Sequence, residues 1–177
     1  MDRFKRLNRE LVYQGKVVGF YKDTIQVPNG NVVEWDFLGH RGAAAVLPVK
    51  EDGSIILIRQ YRNALDEYVL EIPAGGFEET DASSIIAAGR ELEEETGYTC
   101  DELQPLLSIY TTLAYCNEKI DIFLARNLKQ GKINPDENEF ITVETYHLDE
   151  VLKMIYQGVI QDSKTVSAIL AYANQYK

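Results

Sequence analysis

The chain has 177 residues, 45% hydrophobic and 26% charged, an ordinary balance for one globular domain with a sizeable core. Eighteen basic residues against 28 acidic ones give a net charge of −10, which disfavours nucleic acid and anionic membranes as partners. An anionic substrate would need a cation as intermediary, and no apolar run approaches the roughly 20 residues of a membrane span.

The opening MDRFKRLNRE lacks the apolar core of a signal peptide, and Cys100 and Cys116 form no CxxC pair, so a reducing cytoplasm is expected. Residues 10 to 38 alternate as strands do, around a PNGN turn at Pro28 to Asn31 in which Asn-Gly supplies positive φ. This predicts an N-terminal β-meander over residues 1–40. AAAVLPV and IILIRQYR follow, joined by KEDGS, and read as a second hairpin of buried strands. YVLEIPAGG ends a short strand in a proline and two glycines. From Ala82 to Thr96 the apolar residues Ile85, Ala88 and Leu92 recur at helical spacing, with Gly97 placed as a left-handed cap. LLSIYTTLAY and KIDIFLARN read as strands, GKINPDENE as a polar loop and FITVETYHL as a strand. Helical patterns close the chain at 149–157 and 162–176. Strands with helices interposed once and then at the end imply a mixed sheet covered on both faces.

The clearest helix raises a chemical question, because GRELEEETGY crowds like charges together and like charges at helical spacing repel. At about 100° per residue, Glu91 and Glu95 lie nearly above one another, Glu94 falls beside them and Glu93 points elsewhere. Taken alone, the run reads as a solvated acidic face. Three carboxylates on one face also suit a hard cation such as Mg²⁺, which is held by a few carboxylates together with substrate phosphates. Arg90, one turn before Glu94, can brace it.

The wider stretch PAGGFEETDASSIIAAGRELEEETGY resembles the Nudix hydrolase box, G-x5-E-x7-R-E-U-x-E-E-x-G-U, where U is bulky and apolar. Arg90, Glu91, Leu92, Glu94, Glu95, Gly97 and Tyr98 match its second half. In the first half the glutamate position falls on Ala82, while counting forward from Gly75 brings Asp81 to the acidic slot with one extra residue before Arg90. Either Asp81 does that work or the slot is empty. EIPAGG, RQYR, PDENEFITV and GVIQDSKTVSAIL further resemble the ADP-ribose pyrophosphatase branch.

The resemblance implies an α/β Nudix fold, a mixed β-sheet sandwiched between helices, with residues 41–177 as the hydrolase domain and the meander as a dimerisation arm. It implies Mg²⁺, with Mn²⁺ as the alternative, held by the backbone of Ala74 and by Glu91, Glu94, Glu95 and Glu139. Glu137 becomes the candidate base, with Glu94 and Arg90 completing the catalytic set. Arg62, Arg59, Trp35 and Glu118 are the candidate substrate residues, although Arg59 and Arg62 face opposite sides of a regular strand. Trp35 could stack on adenine or serve as core. The implied reaction is hydrolysis of ADP-ribose to AMP and ribose 5-phosphate by a cytoplasmic homodimer. Other nucleoside diphosphate sugars, or a sensor that binds nucleotide without cleaving it, are the alternatives, and Leu113 and Ala114 stand where many of these enzymes carry Pro-Gly.

Overall fold

The computed structural model describes residues 3–132 and 140–176. In chain order the elements are β1 (Lys5–Gln14), β2 (Gly19–Gln26), β3 (Val32–Gly39), β4 (Ala43–Pro48), β5 (Ile55–Arg62), β6 (Glu67–Glu71) and β7 (Ala74–Gly76). Then follow α1 (Ser84–Thr96), β8 (Tyr98–Thr99), β9 (Leu103–Tyr110), β10 (Lys119–Ala125), β11 (Lys129–Gln130), β12 (Thr142–Tyr146), α2 (Leu148–Tyr156) and α3 (Ser163–Tyr176). They fall into two compact units, residues 1–42 with 110–119 and residues 43–109 with 120–177.

In the first unit β1, β2 and β3 form an antiparallel meander. Its second turn closes with Val27 N–H donating to Asn31 O at 2.9 Å, and Gly30 alone takes the left-handed conformation, at φ 88°. Asn29 contributes its side chain instead, accepting from Asn31 N–H at 3.0 Å. Arg9 reaches Asp23 through two bonds of 2.6 Å and lies 3.6 Å over the Phe37 ring, which fixes β1 on β2. The segment 110–119 joins through Leu38 N–H donating to Tyr115 O at 2.7 Å. The expected strand LLSIYTTLAY therefore ends at Tyr110.

In the second unit β4 pairs parallel with β10 and antiparallel with β7, in the order β7-β4-β10-β9. Successive side chains on a strand face opposite ways, and β4 uses both faces. Ala43, Ala45 and Leu47 join a core with β5, Ile122, Leu124, Val151 and Ile169, while Ala44 and Val46 meet Ala87, Ala88 and Leu92 of α1. Such two-sided burial accounts for the continuous apolar run AAAVLP. With α1 on one face and α2 and α3 contributing to the other, the mixed sheet is the layered α/β arrangement expected.

KEDGS does not make a full hairpin. Lys50 N–H donates to Ser54 O at 2.8 Å and Val49 bridges Ile55, but the strands then part, β5 pairing with β12 and β6 in a separate sheet. Both strands are apolar on both faces, so alternation carried no information about which sheet each would join.

Candidate active site

Helix α1 begins two residues later than its periodicity predicts and ends at Gly97, whose φ of 71° and N–H bond to Glu93 O at 2.8 Å make the expected cap. Its buried stripe is Ala87, Ala88, Glu91, Leu92, Glu95 and Thr96, whereas Ile85 is exposed. Glu91 and Glu95 are only 8% and 2% exposed. A solvated acidic face is thereby excluded, and carboxylates buried at a cost of several kcal/mol each need compensation.

The compensation comes from two sides. Arg90 Nη1 donates to Glu91 Oε1 at 2.7 Å and Glu94 Oε2 at 2.9 Å. Strand β7 supplies the other side, where Ala74 N–H donates to Glu95 Oε2 at 2.9 Å. Gly75 lies so close that a Cβ built there would stand 1.9 Å from Glu91 Oε1. A side chain at residue 75 would displace that carboxylate from its present position, which gives the first glycine of PAGG a role next to the glutamate helix.

Arg90 also settles the shifted acidic slot. Its Nη2 donates to Asp81 Oδ2 at 3.0 Å and to Gly76 O at 3.3 Å, and Asp81 Oδ2 accepts from Glu78 N–H at 2.8 Å. The Asp81 side chain is 3% exposed, while Ala82 is exposed. Asp81 thus partners the arginine. The guanidinium holds Asp81 below the usual carboxylate range. Burial opposes the charge on Arg90, but Asp81, Glu91 and Glu94 outweigh it and hold the guanidinium above its ordinary value.

The two arginines of RQYR part as strand geometry requires. Arg59 forks onto Glu144 of β12, at 2.5 and 3.2 Å, and Glu144 also accepts from the Tyr146 hydroxyl. Arg62 forks onto Glu71, the last residue of β6, at 2.7 and 2.8 Å. In the first unit, Trp35 lines a cavity of about 540 Å³ with Phe20, Asp36, Leu38, Ala114 and Tyr115, and is half exposed. Glu118 accepts from Thr111 Oγ1 at 2.7 Å and lies 3.5 Å from His40 Nε2. Glu137 and Glu139 lie outside the described residues. The structure therefore gathers Ala74, Asp81, Arg90, Glu91, Glu94 and Glu95 in one place.

The NUDIX domain model matches residues 39–168, most of the chain and all of this site. The chain belongs to the Nudix family. It is 37% identical over 174 residues to an ADP-ribose pyrophosphatase of Bacillus subtilis (strain 168), covering 97% of this chain and 91% of the relative. It is 36% identical to a methanol dehydrogenase activator of Bacillus methanolicus, over 93% of this chain and 90% of that one. Among solved structures, "Crystal structure of ADP compounds hydrolase" superposes with a TM-score of 0.86 at 23% identity, over 97% of this chain and 93% of that chain, which shows the same fold.

Nudix hydrolases generally use a divalent cation, and the donor set of this site suits one. Among the described residues no group of three or more Asp, Glu, His or Cys side chains is already drawn together as it would be around a metal ion. Glu91, Glu94 and Glu95 nevertheless offer hard oxygen donors, with a single guanidinium set against Asp81, Glu91 and Glu94, and the glycine at 75 keeps Glu91 in place.

Sequence reading passed over one constellation in this unit. Lys164, only 7% exposed, donates from α3 to Glu71, itself 3% exposed, and to Asp162 Oδ2 at 3.0 Å. Burial opposes the Glu71 charge, but Arg62 and Lys164 outweigh it and hold the carboxyl below its ordinary value. A signal was available: Lys164 sits at i−4 from Ala168 and i−8 from Tyr172 on the buried face of α3. A lysine on an apolar stripe asks for a buried counter-charge.

Proposed function

We propose that this Nudix hydrolase cleaves the pyrophosphate of a nucleoside diphosphate sugar with Mg²⁺, and that ADP-ribose, giving AMP and ribose 5-phosphate, is its substrate. The observation that carries the reading is the buried pair Glu91 and Glu95, with Glu95 bonded to Ala74 N–H and the Glu91 carboxylate packed against Gly75, beside Glu94 and Arg90. Support for the substrate comes from the Bacillus subtilis relative, named an ADP-ribose pyrophosphatase.

A bound divalent ion supplies positive charge for the pyrophosphate oxygens and eases deprotonation of the attacking water. Ala74, Glu91, Glu94 and Glu95 would hold it, with Glu139 as a further ligand. Arg90 keeps Asp81 and the Gly76 carbonyl as partners of its own, so it anchors the loop as well as the two glutamates. Glu137 takes the proton from water in this reading. Arg62, braced by Glu71, supplies a planar cation suited to phosphate, and Trp35 an aromatic face suited to a base. Arg59, committed to Glu144 and Tyr146, is the weaker of the two arginine candidates. Glu118 is retained as a polar contact for substrate.

The test is incubation with ADP-ribose, ADP-glucose and GDP-mannose, each with Mg²⁺, with Mn²⁺ or with a chelator, followed by separation of the products. AMP formed from ADP-ribose in preference to the other two, and lost on chelation, is the expected result. Preferential cleavage of another sugar nucleotide would reassign the substrate. Nucleotide binding without cleavage would replace the enzyme reading with that of a sensor.

A further inference from the structure

The segment from Glu71 to Gly75 joins β6 to β7 and supplies the backbone against which both buried glutamates of α1 rest. Its polar groups are held from two directions. On one side Ala74 N–H meets Glu95, and Pro73 O accepts from Val46 N–H at 2.9 Å. On the other side stands the first turn of α3. Ile72 N–H donates to Thr165 Oγ1 at 2.9 Å, and that hydroxyl donates in turn to Asp162 Oδ2 at 2.6 Å. Asp162 Oδ2 also accepts from Thr165 N–H at 3.0 Å and from Lys164 Nζ at 3.0 Å, while Lys164 grips Glu71. Thr165 is fully buried and Ile72 equally so.

The geometry is more specific than helix packing requires. Ile72 could be buried against α3 by apolar contact alone, but its N–H would then lack an acceptor in the interior, a costly omission. Thr165 meets that N–H with an oxygen whose own proton is committed to Asp162, which leaves its lone pairs to accept from Ile72. Two residues further along, Ala74 presents its N–H to Glu95.

We propose that Thr165, with Lys164 and Asp162, positions the 71–75 segment and through Ala74 fixes the orientation of Glu95, so that α3 sets the affinity of the carboxylate cluster for its cation. The inference rests on the reading of Glu95 as a metal ligand. Thr165 touches no reacting atom, and it acts through the backbone as a positioning residue.

The test compares Thr165→Val, which keeps the shape and deletes the hydroxyl, with Thr165→Ser, which keeps the hydroxyl. Two quantities are read in the full chain: hydrogen exchange of the Ala74 amide without metal, and Mn²⁺ affinity by titration. Thr165→Val is expected to speed Ala74 exchange and weaken Mn²⁺ binding on the order of tenfold, as loss of an outer support of a ligand does, with Thr165→Ser restoring both. A folded Thr165→Val protein in which Ala74 exchanges no faster relative to other core amides than in the wild type, with wild-type Mn²⁺ affinity, overturns the proposal, because a merely stabilising hydroxyl would lower the melting temperature and speed core amides alike without singling out Ala74 or weakening Mn²⁺ binding. If Thr165→Val does not fold, Asp162→Asn is read in the same way, with faster Ala74 exchange expected and unchanged exchange overturning it. Wild-type protein that binds no Mn²⁺ would sink the metal reading itself, whereas the metal-free exchange of Ala74 judges the tether separately.

Discussion

The acidic partner of Arg90 is one residue away from where the family spacing puts it, and this decides how the loop responds to acid. Asp81 is held below its ordinary value by the guanidinium, so its contribution to stability is fully present above the unfolded value of about 3.9 and is lost as pH falls through the folded one. Asp81→Asn should therefore show a shallower fall of melting temperature between pH 6 and pH 3 than the wild type. An identical acid slope would mean that the Asp81–Arg90 pair contributes nothing in solution. Ala82, being exposed, has no comparable part. The box pattern alone could not choose between the two, because spacing along the chain does not report how a loop folds back over a helix.

Between elements, the carboxylate of Glu71 joins three pieces of chain: Arg62 from β5, its own strand β6 and Lys164 from α3. Both Glu71 and Lys164 are under a tenth exposed, so removing Glu71 takes from the buried Lys164 ammonium one of its two carboxylates and leaves Asp162 alone to compensate it. Glu71→Ala is expected to cost up to about 3 to 5 kcal/mol in denaturant unfolding, the upper figure being that of a buried charge left with no partner. A loss below about 1 kcal/mol, the level of an exposed ion pair, would show that Lys164 reaches water instead. The same bond explains why Arg62, rather than Arg59, is held next to the 71–75 segment. The helices themselves were legible within a residue or two, since α2 and α3 carry strong apolar spacing and α1 ends on a glycine. The partnership of β4 and β5 was not, because both are buried on both faces.

For the whole molecule, the first unit carries an edge strand, β1, on which Leu7, Leu11, Val12 and Tyr13 are all exposed, with Phe4 beside Trp35. A ten-residue edge with so much apolar surface invites pairing. A homodimer through this strand is the expected state in sedimentation, and Leu11→Glu should yield a monomer with an unchanged circular dichroism spectrum. A wild-type monomer at micromolar concentration would remove the meander from that role.

What the sequence determined by itself is the set of local patterns with a fixed period: the capped glutamate helix, the meander, the two terminal helices and, through the Nudix box, the family. These depend on neighbours two to four residues apart, where side-chain spacing and glycine conformations act directly. The tertiary structure alone decided which acid meets Arg90, that Glu91 and Glu95 turn inward, that Gly75 makes room for one of them, and that Lys164 and Thr165 on α3 hold the 71–75 backbone. Each of these is a contact between segments distant in sequence, where burial and the need to match every buried polar group select one partner among several that the chain offers.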